Sequence, residues 1–364
     1  MSAPLNDKRE REREKERAHT LGYIMSPATN PHRFESVHPS ERPGHWGVPT
    51  SSLDWCERNY VVSPYVAEFW NTLSNASYVV VGLLGVAQCL RRGYEKRFVA
   101  VAAGVLVIGF GSAAFHGTLL YEFQLADELP MVWSMLCWGY AMYLTPVANG
   151  GRSKLLAKAA VLYAGVYSAL HVYFAFTTVF QLMFAMLVSF GAYNLNRNCY
   201  AATGKTMVPF TAGFLPAGTS SPSSATATQR RRQRSSPRFG LSSSSSSDSF
   251  DLSQLHVLCV SYLCLLLFAV SIWLLDQFAC TALHNLPFGL PNPQLHAWWH
   301  VLTAVDTHIG LQLAIGLRAI ELQKRAGGKN KKDRGTTRAR TKMPKTTWYA
   351  GVWANVEAEP MDGE

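Results

Sequence analysis

Three short segments of this chain place imidazole, hydroxyl and carboxyl groups at helical spacing. Gly111-Ser112-Ala113-Ala114-Phe115-His116 sets Ser112 and His116 four residues apart, on one face of a helix. His296-Ala297-Trp298-Trp299-His300 does the same for two histidines, and at that spacing one helical turn can hold a single metal ion. Asp127-Glu128-Leu129-Pro130 adds carboxylates. Three imidazoles from two helices would make a zinc site whose fourth position stays open to water. Zinc there would bring the pKa of that water toward about 7 and polarise a bound carbonyl. Asp127 would then act as general base and later return the proton, and Ser112 would hydrogen-bond the water or a developing oxyanion. The competing reading is structural: an isolated HxxxH often is, and a membrane histidine can simply bond a neighbouring helix. His171, His256 and His308 stand apart from these clusters and read as structural.

The elements that must position these groups are membrane helices. Of 364 residues 48% are apolar and only 16% charged, against about 25% charged in a soluble globular protein. The charge is concentrated at the ends and in one internal segment. Runs 69–90, 98–121, 129–151, 159–196, 252–275 and 277–305 carry no Asp, Glu, Lys or Arg. A crossing helix needs about 20 mostly apolar residues, so the expectation is an all-α bundle of seven spans, near 67–90, 98–119, 128–148, 155–175, 178–197, 254–276 and 294–320. This excludes a soluble single-domain enzyme. The net charge of +10 flanks apolar spans and forms no face on a folded domain, so it speaks for membrane topology and not for nucleic acid. Lys and Arg cluster after spans one, three and five and in the C-terminal tail, which puts the C-terminus in the cytosol and the N-terminus on the lumenal side. On that topology the three clusters sit at one depth, in the lumenal half.

The remaining segments divide simply. Residues 1–41 are a charged N-terminal arm without a signal-peptide core. Residues 42–200 hold a pre-membrane segment and spans one to five, and 254–320 hold spans six and seven. Residues 201–253 form a Ser/Arg-rich linker, with Ser242 to Ser247 in one run, and 321–364 a basic cytosolic tail; neither composition can bury a core. Of seven cysteines only Cys56 and Cys280 fall on the lumenal side, where disulfides persist; they are expected to pair, the alternative being two free thiols. Before span one, Asp54, Glu57, Asn59 and Glu68 offer oxygen ligands of the kind calcium takes. There is no EF-hand loop, and on spacing alone an acidic pre-membrane loop with helix caps fits better.

The segments GHWGVPTSSLDWCERNYVVSPYVAEFWNTLSNASY, GSAAFHGTLLYEFQLADELPM and HAWWHVLTAVDTHIG resemble the alkaline ceramidases, over roughly 42–200 and 254–320. These are seven-span zinc amidases of the endoplasmic reticulum and Golgi, in a superfamily shared with the adiponectin and progestin receptors. The resemblance implies zinc ligands His116, His296 and His300, with Ser112 and Asp127 acting on the attacking water. It implies calcium on Asp54, the Trp55 carbonyl, Glu57, Asn59 and Glu68, and it fits a Cys56–Cys280 bond. The implied reaction is hydrolysis of the amide of a ceramide drawn from the bilayer, giving a sphingoid base and a fatty acid. The rivals are a receptor-like relative whose zinc is structural and a metal or proton transporter. Two features depart from the family pattern: the long 201–253 insert, and Asp306, which stands where a small or neutral residue is expected.

Overall fold

A computed structural model describes residues 44–145, 151–175, 177–205, 252–329, 345–349 and 353–357. The N-terminal arm and residues 206–251 of the linker lie outside them. The helices in chain order are α1 (Phe69–Ser74), α2 (Ala76–Arg92), α3 (Lys96–Thr118), α4 (Tyr121–Leu144), α5 (Gly151–Phe174), α6 (Thr177–Thr203), α7 (Leu252–Phe278), α8 (Cys280–His284) and α9 (Leu295–Lys329), with a single 3-10 turn at Pro287–Gly289. The one departure from an all-helical chain among the described residues is an antiparallel hairpin, Lys345–Tyr349 with Trp353–Glu357, which lies beside α9.

Counting α1 and α2 as one run, seven long helices stand in the bundle. Five are long and apolar enough to cross a membrane: 69–92, 96–118, 154–174, 177–203 and 255–278. The two that fall short on composition are α4 and α9, and the reason is chemical. They carry Glu122, Asp127 and Glu128, and His296, His300, Asp306 and Arg318, so polar and charged groups dilute the apolar signal.

The bundle is inside out, as lipid demands. Leu83 on α2, Val161 and Leu162 on α5, Leu182 and Met186 on α6 and Phe268 on α7 are exposed, whereas polar residues such as Asn194, Gln312 and Arg318 are buried. α9 packs against α1, α2, α3, α6 and α7 and forms the axis, while α5 stands outside against α4. The apolar core, built on Phe98, Met142, Leu195, Leu255, Leu313 and Ile315, fills the half of the bundle away from the histidines.

α4 begins seven residues before its expected start at 128, because the chain reverses sharply after α3. Leu119 takes the left-handed conformation (φ 54°) and its N–H returns to the Phe115 carbonyl. Its own carbonyl accepts the N–H groups of Thr50 and Ser51, 3.1 Å each, and so docks the pre-membrane segment on this corner. Asp127, Glu128 and Pro130 therefore lie inside α4. At the far end the Arg318 guanidinium donates to Glu95 Oε1 (2.7 Å) and to the Thr145 carbonyl (3.0 Å), tying α9 to the starts of α3 and the end of α4. Arg318→Met is expected to lower unfolding stability by about 1–3 kcal/mol, since it leaves Glu95 with Arg97 as its ion-pair partner and takes a donor from the buried Thr145 carbonyl. Thermal inactivation checks this, with bound metal unchanged because the pair lies at the end of the bundle away from the histidines.

Candidate metal centre

α3 brings His116 and the first turns of α9 bring His296 and His300 into one group whose ligand atoms all lie within 4.8 Å of one another. The ring centroids are 5.1, 4.9 and 4.5 Å apart, and each residue is buried. Two of the rings are already oriented. His116 Nδ1 lies 2.5 Å from Glu68 Oε2, and His300 Nδ1 lies 2.8 Å from Ser74 Oγ. Outer partners on Nδ1 leave Nε2 as the ligand atom and fix the ring plane, the arrangement expected of metal-bound histidines. The donor set fits zinc: three neutral nitrogens, with no lysine or arginine among the residues that bond them.

The pre-membrane segment forms the roof. The Trp55 indole stacks on the His296 ring, 3.6 Å between centroids at 18°, and the Trp55 N–H donates to Glu68 Oε1 (3.2 Å). Ala67 and Glu68 pair through their N–H groups with the carbonyls of Gly117 and His116, 2.9 Å each, which is what carries the Glu68 carboxylate to the imidazole. The Asn71 amide reaches Glu68 Oε2 (3.0 Å). Glu57 caps α1, its two oxygens accepting the N–H groups of Trp70 (2.7 Å) and Asn71 (2.8 Å). Asp54 is near Glu68 and accepts from the Asn59 amide at 3.4 Å. Asn59 Oδ1 is buried without a partner. An orphaned carbonyl oxygen beside three carboxylates fits a hard cation such as calcium. Desolvation, and then the nearby Glu68, pushes the Asp54 carboxyl up to about 7; desolvation does the same for Glu57, also to about 7. The carboxylates do not converge as closely as the histidines: the other three-residue group within 4.8 Å among the described residues is Cys56, Cys280 and His284. Its two sulfurs are joined in a disulfide, Cα–Cα 5.3 Å.

Ser112 and Asp127 face each other across α3 and α4, and the Ser112 hydroxyl hydrogen-bonds the Asp127 carboxylate. Two residue choices make that approach possible. Pro130 has no N–H, so the Ala126 carbonyl one turn earlier loses its helical donor. Gly111 packs against that same carbonyl: a Cβ there would stand 1.9 Å from the Ala126 oxygen. The Tyr78 hydroxyl, 2.5 Å from Thr303 Oγ1, lies within electrostatic reach of Asp127, and its ring is 5.9 Å from that of His300. Tyr78 thus neighbours His300 and lies within electrostatic reach of Asp127.

Sequence reasoning missed several positioning groups. Asp276 on α7 accepts the N–H groups of Cys56 and His296, 3.2 Å each, and so caps α9 beneath one ligand. A lone carboxylate between two apolar runs was its only signal. His171, read as solitary, places Nε2 2.6 Å from Glu128 Oε2. Glu128 also accepts from Gln124 (2.9 Å), which bonds Ser52 of the pre-membrane segment. Nothing in the sequence paired these residues, which are up to 72 positions apart.

Glu68→Gln should weaken metal binding at the histidines about 10- to 100-fold, measured by competition with a chromogenic chelator; an unchanged affinity would remove Glu68 from the site. Gly111→Ala should push α3 from α4 and lower turnover at least about tenfold while the protein keeps its metal, read by pairing kinetics with metal analysis.

Comparison with known proteins agrees with this architecture. The ceramidase family profile matches residues 47–337. Alkaline ceramidase 3 of Mus musculus is 28% identical over 88% of this chain and 97% of its own length. An alkaline ceramidase of Saccharomyces cerevisiae is 29% identical over 78% of this chain and 81% of its own, and one of Arabidopsis thaliana is 34% identical over 39% and 54%. With four-fifths of its length inside the family profile, the chain belongs to the ceramidase family.

Proposed function

We propose that the chain hydrolyses the amide of ceramide at a zinc centre held by His116, His296 and His300, with Asp127 and Ser112 as its proton-handling pair. The observation that carries the reading is the convergence of three buried imidazoles, two with Nδ1 already engaged, beside a hydrogen-bonded Ser112–Asp127 pair. Family membership makes it a ceramide amidohydrolase.

Zinc bound at the three nitrogens would supply Lewis acidity, polarising the amide carbonyl and acidifying a water. The residues do the rest. Glu68 and Ser74 keep the His116 and His300 rings fixed. The Trp55 indole covers His296 and shields the centre from bulk water. Asp127 takes the proton of the attacking water and delivers it to the departing nitrogen, so one carboxylate serves in both halves of the reaction. Ser112 aims that carboxylate, and its oxygen also lies at hand for the developing negative charge. The two lipid chains lie along the apolar faces of the helices, leading away from the histidine centre.

The Asp54, Trp55, Glu57, Asn59 and Glu68 segment holds calcium in this reading, ordering the roof without touching the substrate. The protein is multi-pass, with seven spans, a lumenal N-terminus and a cytosolic C-terminus, in the endoplasmic reticulum or Golgi membrane. The basic connections and the disulfide-bonded Cys56 and Cys280 at the histidine end support that orientation. The linker and tail are cytosolic.

His296→Ala is expected to abolish release of sphingoid base from ceramide by purified protein and to lower bound zinc; full activity in zinc-free mutant would end the metal mechanism. For calcium the sign follows from burial. Raised carboxyl pKa values mean the folded state holds protons that the unfolded state has released. Without calcium, stability is greatest below about pH 4 as far as these groups are concerned and falls as pH rises toward 7. Calcium replaces those protons, so the rise in melting temperature on adding it should be larger at pH 8 than at pH 5, and Glu57→Ala should erase it. An equal rise at both pH values, or one that survives Glu57→Ala, would place calcium elsewhere.

A further inference from the structure

Asp306 is a carboxylate that nothing above employs. It sits on α9, 4% exposed, with Oδ1 buried and without a hydrogen-bond partner. Six residues separate it from His300, so it lies about 9 Å further along the helix axis, toward the apolar half of the bundle. The polar groups within electrostatic reach are the hydroxyls of Tyr78 and Tyr262. Tyr78 also packs near His300 and feels the Asp127 carboxyl. Asp306 therefore lies deeper in the bundle than the histidines, within reach of two tyrosine hydroxyls. An unpaired polar oxygen in such a place costs about 1–3 kcal/mol, and it has no ion pair to offset that cost.

We infer that Asp306 is a specificity-determining residue that accepts a hydrogen bond from a hydroxyl carried on the substrate's sphingoid base, a few bonds from the amide nitrogen. This rests on the reading of the histidine centre as the place where the amide carbonyl sits. With the carbonyl there, the head hydroxyl lies at the level of the metal centre, whereas a hydroxyl further down a chain reaches the level of Asp306. An acceptor without a partner favours a ligand that brings a donor. A site built to pair with a hydroxyl rejects the analogue lacking it far more strongly than an apolar pocket distinguishes chain lengths. The group that can reach it is a hydroxyl on the sphingoid base, at the carbon after its 3-hydroxyl; a hydroxyl on the acyl carbon beside the carbonyl stays at the level of the histidines.

The test uses the purified full-length protein in detergent and three substrates. These are a ceramide with a saturated base and plain acyl chain, the same lipid with an added 4-hydroxyl on the base, and the same lipid with a 2-hydroxyacyl chain. Wild type is expected to favour the 4-hydroxylated lipid over the plain one by about tenfold or more in kcat/KM, while the 2-hydroxyacyl lipid, whose hydroxyl stays at the histidine level, serves as the control and is turned over like the plain one. Asp306→Ala should bring that ratio to within about twofold of unity, whereas Asp306→Asn, which keeps an acceptor carbonyl, should retain most of it. Asp306→Leu replaces the alanine variant if that protein does not fold. A wild type indifferent to the 4-hydroxyl, or a ratio that survives removal of the carboxyl, overturns the inference and leaves the ceramidase reading intact. Wild type with bound metal and no turnover of any of the three would overturn both.

Discussion

The contact between Glu68 and His116 is the constraint on which the site depends. Glu68 is wholly buried, and its two oxygens serve the Trp55 N–H, the Asn71 amide and His116 Nδ1. A carboxylate removed from water must be fully bonded or hold a cation. Here it joins the roof, the first helix and a metal-facing imidazole in one place. The short backbone pairing of residues 67–68 with 116–117 carries it there, and the docking of Thr50 and Ser51 on the left-handed corner at Leu119 closes the roof over it. A disturbance in the acidic pre-membrane segment is therefore felt at the histidines, because the same carboxylate belongs to both.

A second constraint operates between α3 and α4. A proline within a membrane helix frees a carbonyl one turn back, and neighbouring groups must accommodate it. Pro130 frees Ala126, and Gly111 is the residue small enough to lie against it. The close approach is what lets Ser112 meet Asp127. Rigid packing of this kind is how a site holds its proton-handling groups within the small tolerances that catalysis allows. The opposite half of the bundle is held differently, by apolar packing and by the Glu95–Arg318 pair, which leaves the chemistry and the stability of the fold largely in separate halves.

Much of the site could be read from spacing. Ser112 and His116, and His296 and His300, are each one helical turn apart, so any helix through those residues presents them together. The charge-free runs located the long helices, and Leu286 to Pro293 located the break before α9. The expected start at 128 for the third span was late because charge was taken as the boundary. The real boundary is the reversal at Leu119, and α4 accommodates Asp127 and Glu128 inside the helix because Ser112, Gln124 and His171 bond them. The basic tail, expected to be without structure, carries two antiparallel strands, 345–349 and 353–357.

The sequence by itself determined the apolar helices, the faces on which histidines, serine and aspartate stand, and the family to which such segments belong. These are local properties, set by composition and by a period of 3.6 residues. The tertiary structure alone decided which distant groups meet: Glu68 with His116, Asp276 with the start of α9, His171 with Glu128, and Asp306 with no partner at all. Such pairings join residues tens to hundreds of positions apart, and no pattern along the chain encodes them. They follow from how the other helices pack around α9 and against one another, where burial forces each polar group to find a neighbour or to wait for a ligand.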